Sequence, residues 1–156
     1  MPQFRSLHLA IDLALAKREQ ALSEMQKQRQ AHVFANNQMS QLQQYANETE
    51  KRWTTNAQIS TTPELLHHHY QFMGRLQHAI LLQQSVLAAS EERVKAAQQQ
   101  LLQAEFRIAS LKQVLVKRQA DVGKLMQRRD QKQMDEFASM QILRLAREKL
   151  EHDHER

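Results

Sequence analysis

The stretch TTNAQISTTPE, Thr54 to Glu64, decides the fold because it is the only cluster of turn-forming residues in the interior of the sequence. Thr62 precedes Pro63, and a residue before proline is disfavoured in the α region. Thr62 therefore suits a helix N-cap, and Pro63 suits the first helical position, where its missing N–H costs nothing. Taking Thr61 as the cap would instead place Glu64 at the third position of a capping box. Either choice begins a second helix at about residue 62.

The rest of the sequence favours helix and offers few places to turn, with two glycines and two prolines among 156 residues. Hydrophobic residues make up 41% of the chain and aromatic residues 5%, enough for a narrow seam between helices but not for a wide globular interior. Residues that favour strands are scarce, so we expect almost no strand. There is no cysteine, so neither disulfides nor thiolate metal sites hold the fold.

Apolar residues recur every seventh position on both sides of the turn, which is the pattern of a left-handed coiled coil. The uninterrupted row of the second segment is Leu66, Met73, Ile80, Leu87, Val94, Leu101, Ile108, Leu115 and Val122. The matching row of the first segment is thinner and partly polar. It reads Phe4, Ile11, Arg18, Met25, His32, Met39, Ala46 and Trp53. Helices joined by so short a turn lie antiparallel, and folding about residue 59 sets position i opposite about position 118 minus i.

The predicted fold is all-α: a long two-helix antiparallel coiled-coil hairpin with an overhanging C-terminal helix. We expect a single coiled-coil domain over 1–156, with helices at about 3–54 and 62–145, a turn at about 55–61 and a frayed tail at about 146–156. The first helix leaves everything beyond about residue 115 without a partner in its own chain. The residues near one face of this overhang are Met134, Phe137, Ala138, Gln141 and Leu145. Open apolar surface usually marks a contact, so partner binding is favoured over disorder.

The net charge of +5 predicts a modest preference for acidic partners. The basic excess lies on the second helix, mainly in Lys112, Lys117, Arg118, Lys124, Arg128 and Arg129. No aromatic residues interleave with these charges and the charges do not form one face, so we expect no nucleic-acid partner.

Signatures of catalysis are absent, with no phosphate-binding glycine loop, nucleophile elbow or acidic calcium loop, so we expect neither enzyme activity nor a cofactor. The histidines at 67–69 and 78 suggest metal binding, but consecutive helical residues are splayed about 100° apart. We interpret them as solvated histidines beside the turn and predict no metal site.

No window reaches about 18 uninterrupted apolar residues, and Leu7–Ala16 is interpreted as helix, not as a signal peptide. We therefore expect a cytoplasmic protein without direct membrane insertion.

An edge of the hairpin near the turn is the candidate binding site. Residues at heptad position g face one another across one edge of an antiparallel pair. With the adjoining d positions, this edge holds Gln38, Leu42 and Tyr45 from the first helix and Phe72, Leu76 and Ala79 from the second. Two interpretations stay open: the aromatic residues shield the core edge, or the patch docks another protein.

Three segments occur in order along nearly the whole chain: QMSQLQQYANE (38–48), YQFMGRLQHAI (70–80) and DQKQMDEFA (130–138). They resemble the corresponding segments of the flagellar type III export protein FliJ family. The resemblance implies a two-helix stalk-like adaptor that binds the hexameric export ATPase and promotes its assembly. It also implies contact with the cytoplasmic region of the export gate, escort of substrate chaperones, and peripheral association with the inner membrane at the flagellar base.

Residue matching to the family puts the export-gate binding patch on the same six residues, Gln38, Leu42, Tyr45, Phe72, Leu76 and Ala79. Thr49 and Gln83 depart from the aromatic residue and the histidine usual at those places. The implied ATPase-binding end comprises Arg128, Arg129, Asp130, Met134, Asp135 and Phe137. The alternatives are the equivalent stalk of a virulence-type secretion system, a self-assembling structural coiled coil and a basic nucleic-acid binder.

Overall fold

The computed structural model describes residues 2–155, which form two long helices. A 3-10 turn at Pro2–Phe4 leads into α1, Arg5–Ala57, and α2 spans Pro63–His154. No strand occurs among the described residues. The all-α prediction is thereby confirmed.

The described residues cluster into two compact units. We call Asp12–Ile108 the hairpin unit, and the described residues of Met1–Ile11 and Ala109–Arg156 the terminal unit. The single coiled-coil domain expected from the sequence stays a prediction, and each unit is described by itself.

α1 ends at Ala57, three residues later than the end expected from the sequence. Thr54 and Thr55 remain helical, and their hydroxyls donate to the carbonyls of Glu50 and Lys51 at 2.9 and 3.0 Å. Each hydroxyl bonds to a carbonyl four residues earlier in the same helix. Neither threonine therefore caps the helix, and α1 continues past both of them.

α2 begins where the sequence places it, and Thr62 is its N-cap. The backbone N–H of Leu65 donates to Thr62 Oγ1 at 3.2 Å, and the N–H of Leu66 donates to the Thr62 carbonyl at 3.0 Å. Pro63 is therefore the first helical residue. The capping box based on Thr61 is not used.

Within the hairpin unit α1 and α2 are antiparallel, as predicted. His32 of α1 contacts Ser90 of α2, whereas Tyr45, further along α1, contacts Phe72, which is earlier in α2. Both pairs agree with the expected register to within about one helical turn.

The core of the hairpin unit is a narrow seam. Its buried residues are Ala14, Met25, Ala35, Met39, Leu76, Ile80, Ala97 and Ile108, together with His69 and Ser90. Several of these side chains are small, namely the three alanines and Ser90. The seam is therefore thin, and much of the surface of each helix stays accessible to solvent.

In the terminal unit the burial lies near the start of α1. Phe4, Leu7 and Ile11 are buried, while every residue from 123 to 155 is exposed. α2 continues to His154, so residues 146–154 are helical where a frayed tail is expected from the sequence. Alanine, leucine, glutamate and lysine in this stretch are strong helix formers. An ion pair one turn apart, from Arg144 Nε to Glu148 Oε1 at 3.5 Å, adds to helix stability.

None of the helices in the described part of the chain contains a stretch that is long and apolar enough to cross a membrane.

Candidate binding surfaces

The two aromatic residues of the patch near the turn contact each other across the hairpin unit. The Tyr45 and Phe72 ring centroids lie 5.9 Å apart with an interplanar angle of 84°, an edge-to-face arrangement. Tyr45 is nevertheless 50% exposed and Phe72 38% exposed. The pair therefore shields the core edge and also offers aromatic surface to solvent, so the two interpretations of this edge are compatible.

The other four patch residues differ in accessibility. Leu76 is buried in the core, Leu42 and Ala79 are half-buried, and Gln38 is exposed. Leu76 therefore supports the patch from beneath and presents little surface itself.

A groove of about 500 Å³ adjoins the patch and is lined by Gln38, Gln41, Leu42, Tyr45 and Gln83. Gln83 Nε2 donates to the backbone carbonyl of Ala35 at 2.9 Å. Gln83, which stands where the family usually has a histidine, thus links α2 to α1 by a hydrogen bond beside the groove. The patch predicted from the sequence did not include Gln41, at position c on the same edge, or Gln83, at the d position that follows Leu76.

The interpretation of all the histidines near the turn as solvated is wrong for His69. This side chain is buried, and its ring stacks on Trp53 with centroids 4.3 Å apart and planes 7° apart. Its Nε2 lies 3.3 Å from Glu50 Oε2. His69 occupies the d position three residues after Leu66, which places it in the seam, whereas its neighbours at 67 and 68 are exposed.

His69 does not belong to a metal-binding cluster. No group of three or more histidine, cysteine, aspartate or glutamate side chains with metal-binding geometry occurs among the described residues. The surroundings of His69 are instead those of a ring packed in a helix interface with one carboxylate partner.

A second polar contact, which is part-buried, fixes the pairing of the helices farther from the turn. Ser90 Oγ donates to the Leu87 carbonyl at 2.7 Å and lies 2.8 Å from His32 Nδ1. Because the single hydroxyl proton is donated to Leu87, His32 Nδ1 is the donor toward Ser90. A polar pair in the seam specifies register, since slipping the helices would leave buried polar atoms without partners.

The six residues matched to the ATPase-binding end, from Arg128 to Phe137, are all exposed on α2 in the terminal unit. They surround the helix, because consecutive residues are about 100° apart. Asp130, Met134 and Phe137, at i, i+4 and i+7, share one face. Met134 is 69% exposed and Phe137 64% exposed, so this face offers apolar surface with a carboxylate beside it.

The same face continues toward the C-terminal end of α2. A concave region of about 470 Å³ is lined by Phe137, Met140, Gln141, Leu143, Arg144 and Arg147. Of these residues only Phe137 and Gln141 belong to the face predicted from the sequence, and Met140, Leu143, Arg144 and Arg147 were not included in it. The helical spacing of Arg144 and Arg147 from Phe137 would have found these two arginines.

Comparison with known proteins adds a family assignment. The model of a family described as Flagellar FliJ protein matches residues 3–147. No curated protein and no solved structure matches the chain.

Proposed function

Because the chain belongs to the flagellar FliJ family, a non-enzymatic family of flagellar type III protein export, we propose that it is a stalk-like adaptor of the export apparatus. In this role it binds the hexameric export ATPase and promotes assembly of the hexamer. Hydrolysis of ATP belongs to that partner. The protein acts in the cytoplasm, peripherally associated with the inner membrane at the flagellar base.

The observation that carries the proposal is the exposed apolar surface of α2 within a chain that matches the family over residues 3–147. Met134 and Phe137 place large apolar side chains in solvent on one helical face. Such surface is unfavourable in water and is typical of a contact with another protein. We assign this face, which includes Asp130, to the ATPase, with Arg128, Arg129 and Asp135 around it.

The second contact of the adaptor is with the cytoplasmic region of the export gate. The patch of Gln38, Leu42, Tyr45, Phe72, Leu76 and Ala79 is assigned to it, supported by the exposed aromatic pair and the adjoining groove. A central aromatic contact with polar surroundings is the arrangement found at many binding hot spots. Escort of unloaded substrate chaperones is the third activity of the proposed adaptor.

Substitution of the exposed apolar face tests the ATPase assignment. Met134→Ser with Phe137→Ser should reduce stimulation of the purified export ATPase at least about tenfold, since loss of two anchor side chains costs more than about 1.4 kcal/mol. Deletion of residues 123–156 should abolish stimulation and leave the hairpin unit helical by circular dichroism.

Leu150→Ser is the matched control, because Leu150 is as exposed as Met134, at 69%, but lies on another face of the helix. Stimulation of the ATPase by the Leu150→Ser variant should stay within about twofold of that by the parent chain, because the substitution removes exposed apolar surface outside the proposed contact. Normal stimulation by the truncated chain would place the ATPase contact elsewhere.

A further inference from the structure

A groove between α1 and α2 runs along the same flank of the hairpin unit as the aromatic patch, but farther from the turn. One section, of about 600 Å³, is lined by four alanines, Ala14, Ala21, Ala97 and Ala104, and by charged side chains that include Lys17 and Arg107. Ala14 and Ala97 are buried and the other two alanines are half-buried. Small side chains at these positions leave the space between the helices unfilled.

A second section of about 260 Å³ extends the groove toward the turn. It shares Glu24, Ala97 and Gln100 with the first section and adds Gln28, Arg93 and Ala96. Together the two sections cover residues 14–28 of α1, which corresponds to about 21 Å of helix. This length matches about four turns of a partner helix.

The charges on the two flanks of the hairpin unit differ in sign. We call the side formed by heptad positions g and c the basic flank, and the side formed by e and b the acidic flank. The charged residues of the basic flank are Lys17, Lys27, Arg52, Arg75, Arg93 and Arg107, with Glu24 and Glu48. Those of the acidic flank are Asp12, Glu19, Glu50, Glu91 and Glu105, with Arg29 and Lys95. All of these residues are exposed.

We propose that the groove on the basic flank binds an acidic amphipathic helix of a partner protein, which packs against α1 and α2 as a third helix. The alanines allow the backbone of a partner helix to approach closely and to cover the thin seam. Carboxylates beside the apolar stripe of that helix then pair with Lys17, Arg93 and Arg107. The proposal goes beyond the adaptor function above, because neither the ATPase-binding face nor the aromatic patch takes part.

A helix is the occupant that the observations favour. The groove is apolar along its alanines and about as long as a short helix, whereas a nucleic acid would need phosphate contacts along a continuous cationic track. Glu24 interrupts such a track, since it lines both sections between Lys17 and Arg93. A peptide carboxylate, by contrast, needs a cation only once per turn or two.

The test uses two designed helical peptides of about 15 residues, the length of the groove. They share one alanine and leucine stripe, with glutamates beside the stripe in one and lysines in the other. Fluorescence anisotropy with the full chain should give a Kd at least about tenfold lower for the acidic peptide, and the difference should shrink at about 1 M salt. Equal Kd values for the two peptides would overturn the proposal.

Charge-reversal variants locate the site. Lys17→Glu with Arg93→Glu and Arg107→Glu should remove the preference for the acidic peptide. Arg29→Glu with Lys51→Glu and Lys95→Glu changes the net charge equally at residues outside the basic flank. This matched control should keep the Kd within about twofold, since exposed charges outside the contact act weakly. Equal losses in both variants would mean that net charge alone attracts the peptide, and the groove assignment would be wrong.

Groove filling provides an independent readout. Gln100 is exposed and lines both sections, so Gln100→Trp should narrow the groove without disturbing the core and raise the Kd at least about fivefold. An unchanged Kd would contradict docking in the groove. Two further outcomes would overturn the proposal. One is displacement of the acidic peptide by a DNA duplex whose phosphates equal the peptide carboxylates in concentration. The other is self-association of the chain by packing of the basic flank of one molecule on the acidic flank of another.

Discussion

Tyr45 and Phe72 each have two roles at the level of single residues: they pack across the core edge and they expose aromatic surface to solvent. Each packs on the other and still keeps a third to a half of its surface exposed. Tyr45→Ala with Phe72→Ala should therefore weaken binding of the cytoplasmic region of the export gate at least about tenfold, because truncation of paired aromatic anchors removes contact area to the partner. Isothermal titration calorimetry with the purified gate fragment measures this change.

The control for the aromatic pair is Phe106→Ala in the same unit. Phe106 is 73% exposed and lies outside the patch, so its loss removes a similar ring without affecting the proposed contact. Circular dichroism should show nearly unchanged helicity for both variants. Unaltered gate affinity in the double variant would refute the assignment of the patch.

His69 illustrates why single residues were harder to predict than the edge they lie beside. The edge followed from the heptad frame and the position of the turn, and both were correct. The three adjacent histidines have the same chemistry, so composition alone treats them alike, whereas the frame buries one of them at d. The stacking partner Trp53 lies on the other helix, and local sequence does not specify that contact.

At the level of elements, the ends of the helices were predicted with different success. The start of α2 depends on the local chemistry of Thr62 and Pro63, so it could be read from the sequence. The end of α2 depends on the accumulated helix propensity of a stretch without a breaker, which local signals do not mark. The groove was missed because it depends on how residues of two helices are placed around the seam.

The two glycines of α2 give a test of helix stability at the same level. A Cβ added at Gly74 or Gly123 would meet no atom within 4 Å, so replacement by alanine should gain helix propensity without a clash. Each substitution should stabilise the chain by about 1 kcal/mol in urea unfolding, and the two gains should add because the sites are far apart in sequence and share no contacts.

The Gly123→Ala substitution also tests whether the exposed part of α2 is helical in the free protein. The variant gains stability only if the helix around residue 123 is formed in the free protein and unfolds together with the rest. A gain for Gly74→Ala without one for Gly123→Ala would show that α2 after Val122 does not unfold cooperatively with the hairpin unit.

For the molecule as a whole, the central question is whether the helices pair within one chain or between chains. The polar contacts His32 to Ser90 and Gln83 to the Ala35 carbonyl occur in the seam of the hairpin unit. Both contacts form at one register of the intramolecular pair, and a different register would leave their polar atoms unsatisfied in the seam. These contacts fix the register of α1 on α2, and the short connection between Ala57 and Pro63 favours that pairing within one chain over a self-assembling coiled coil.

Spin labels and sedimentation distinguish the two arrangements. The chain has no cysteine, so Gln38→Cys with Ala79→Cys places two nitroxides specifically on the patch edge. Their separation should lie below about 20 Å, because packed helix axes are about 10 Å apart, and it should persist in a tenfold excess of unlabelled chain. Sedimentation equilibrium over a wide concentration range should return a mass near 18.3 kDa. Loss of the short distance on dilution with unlabelled chain would mean that the pairing is intermolecular, and the patch would then be assembled from two molecules instead of one.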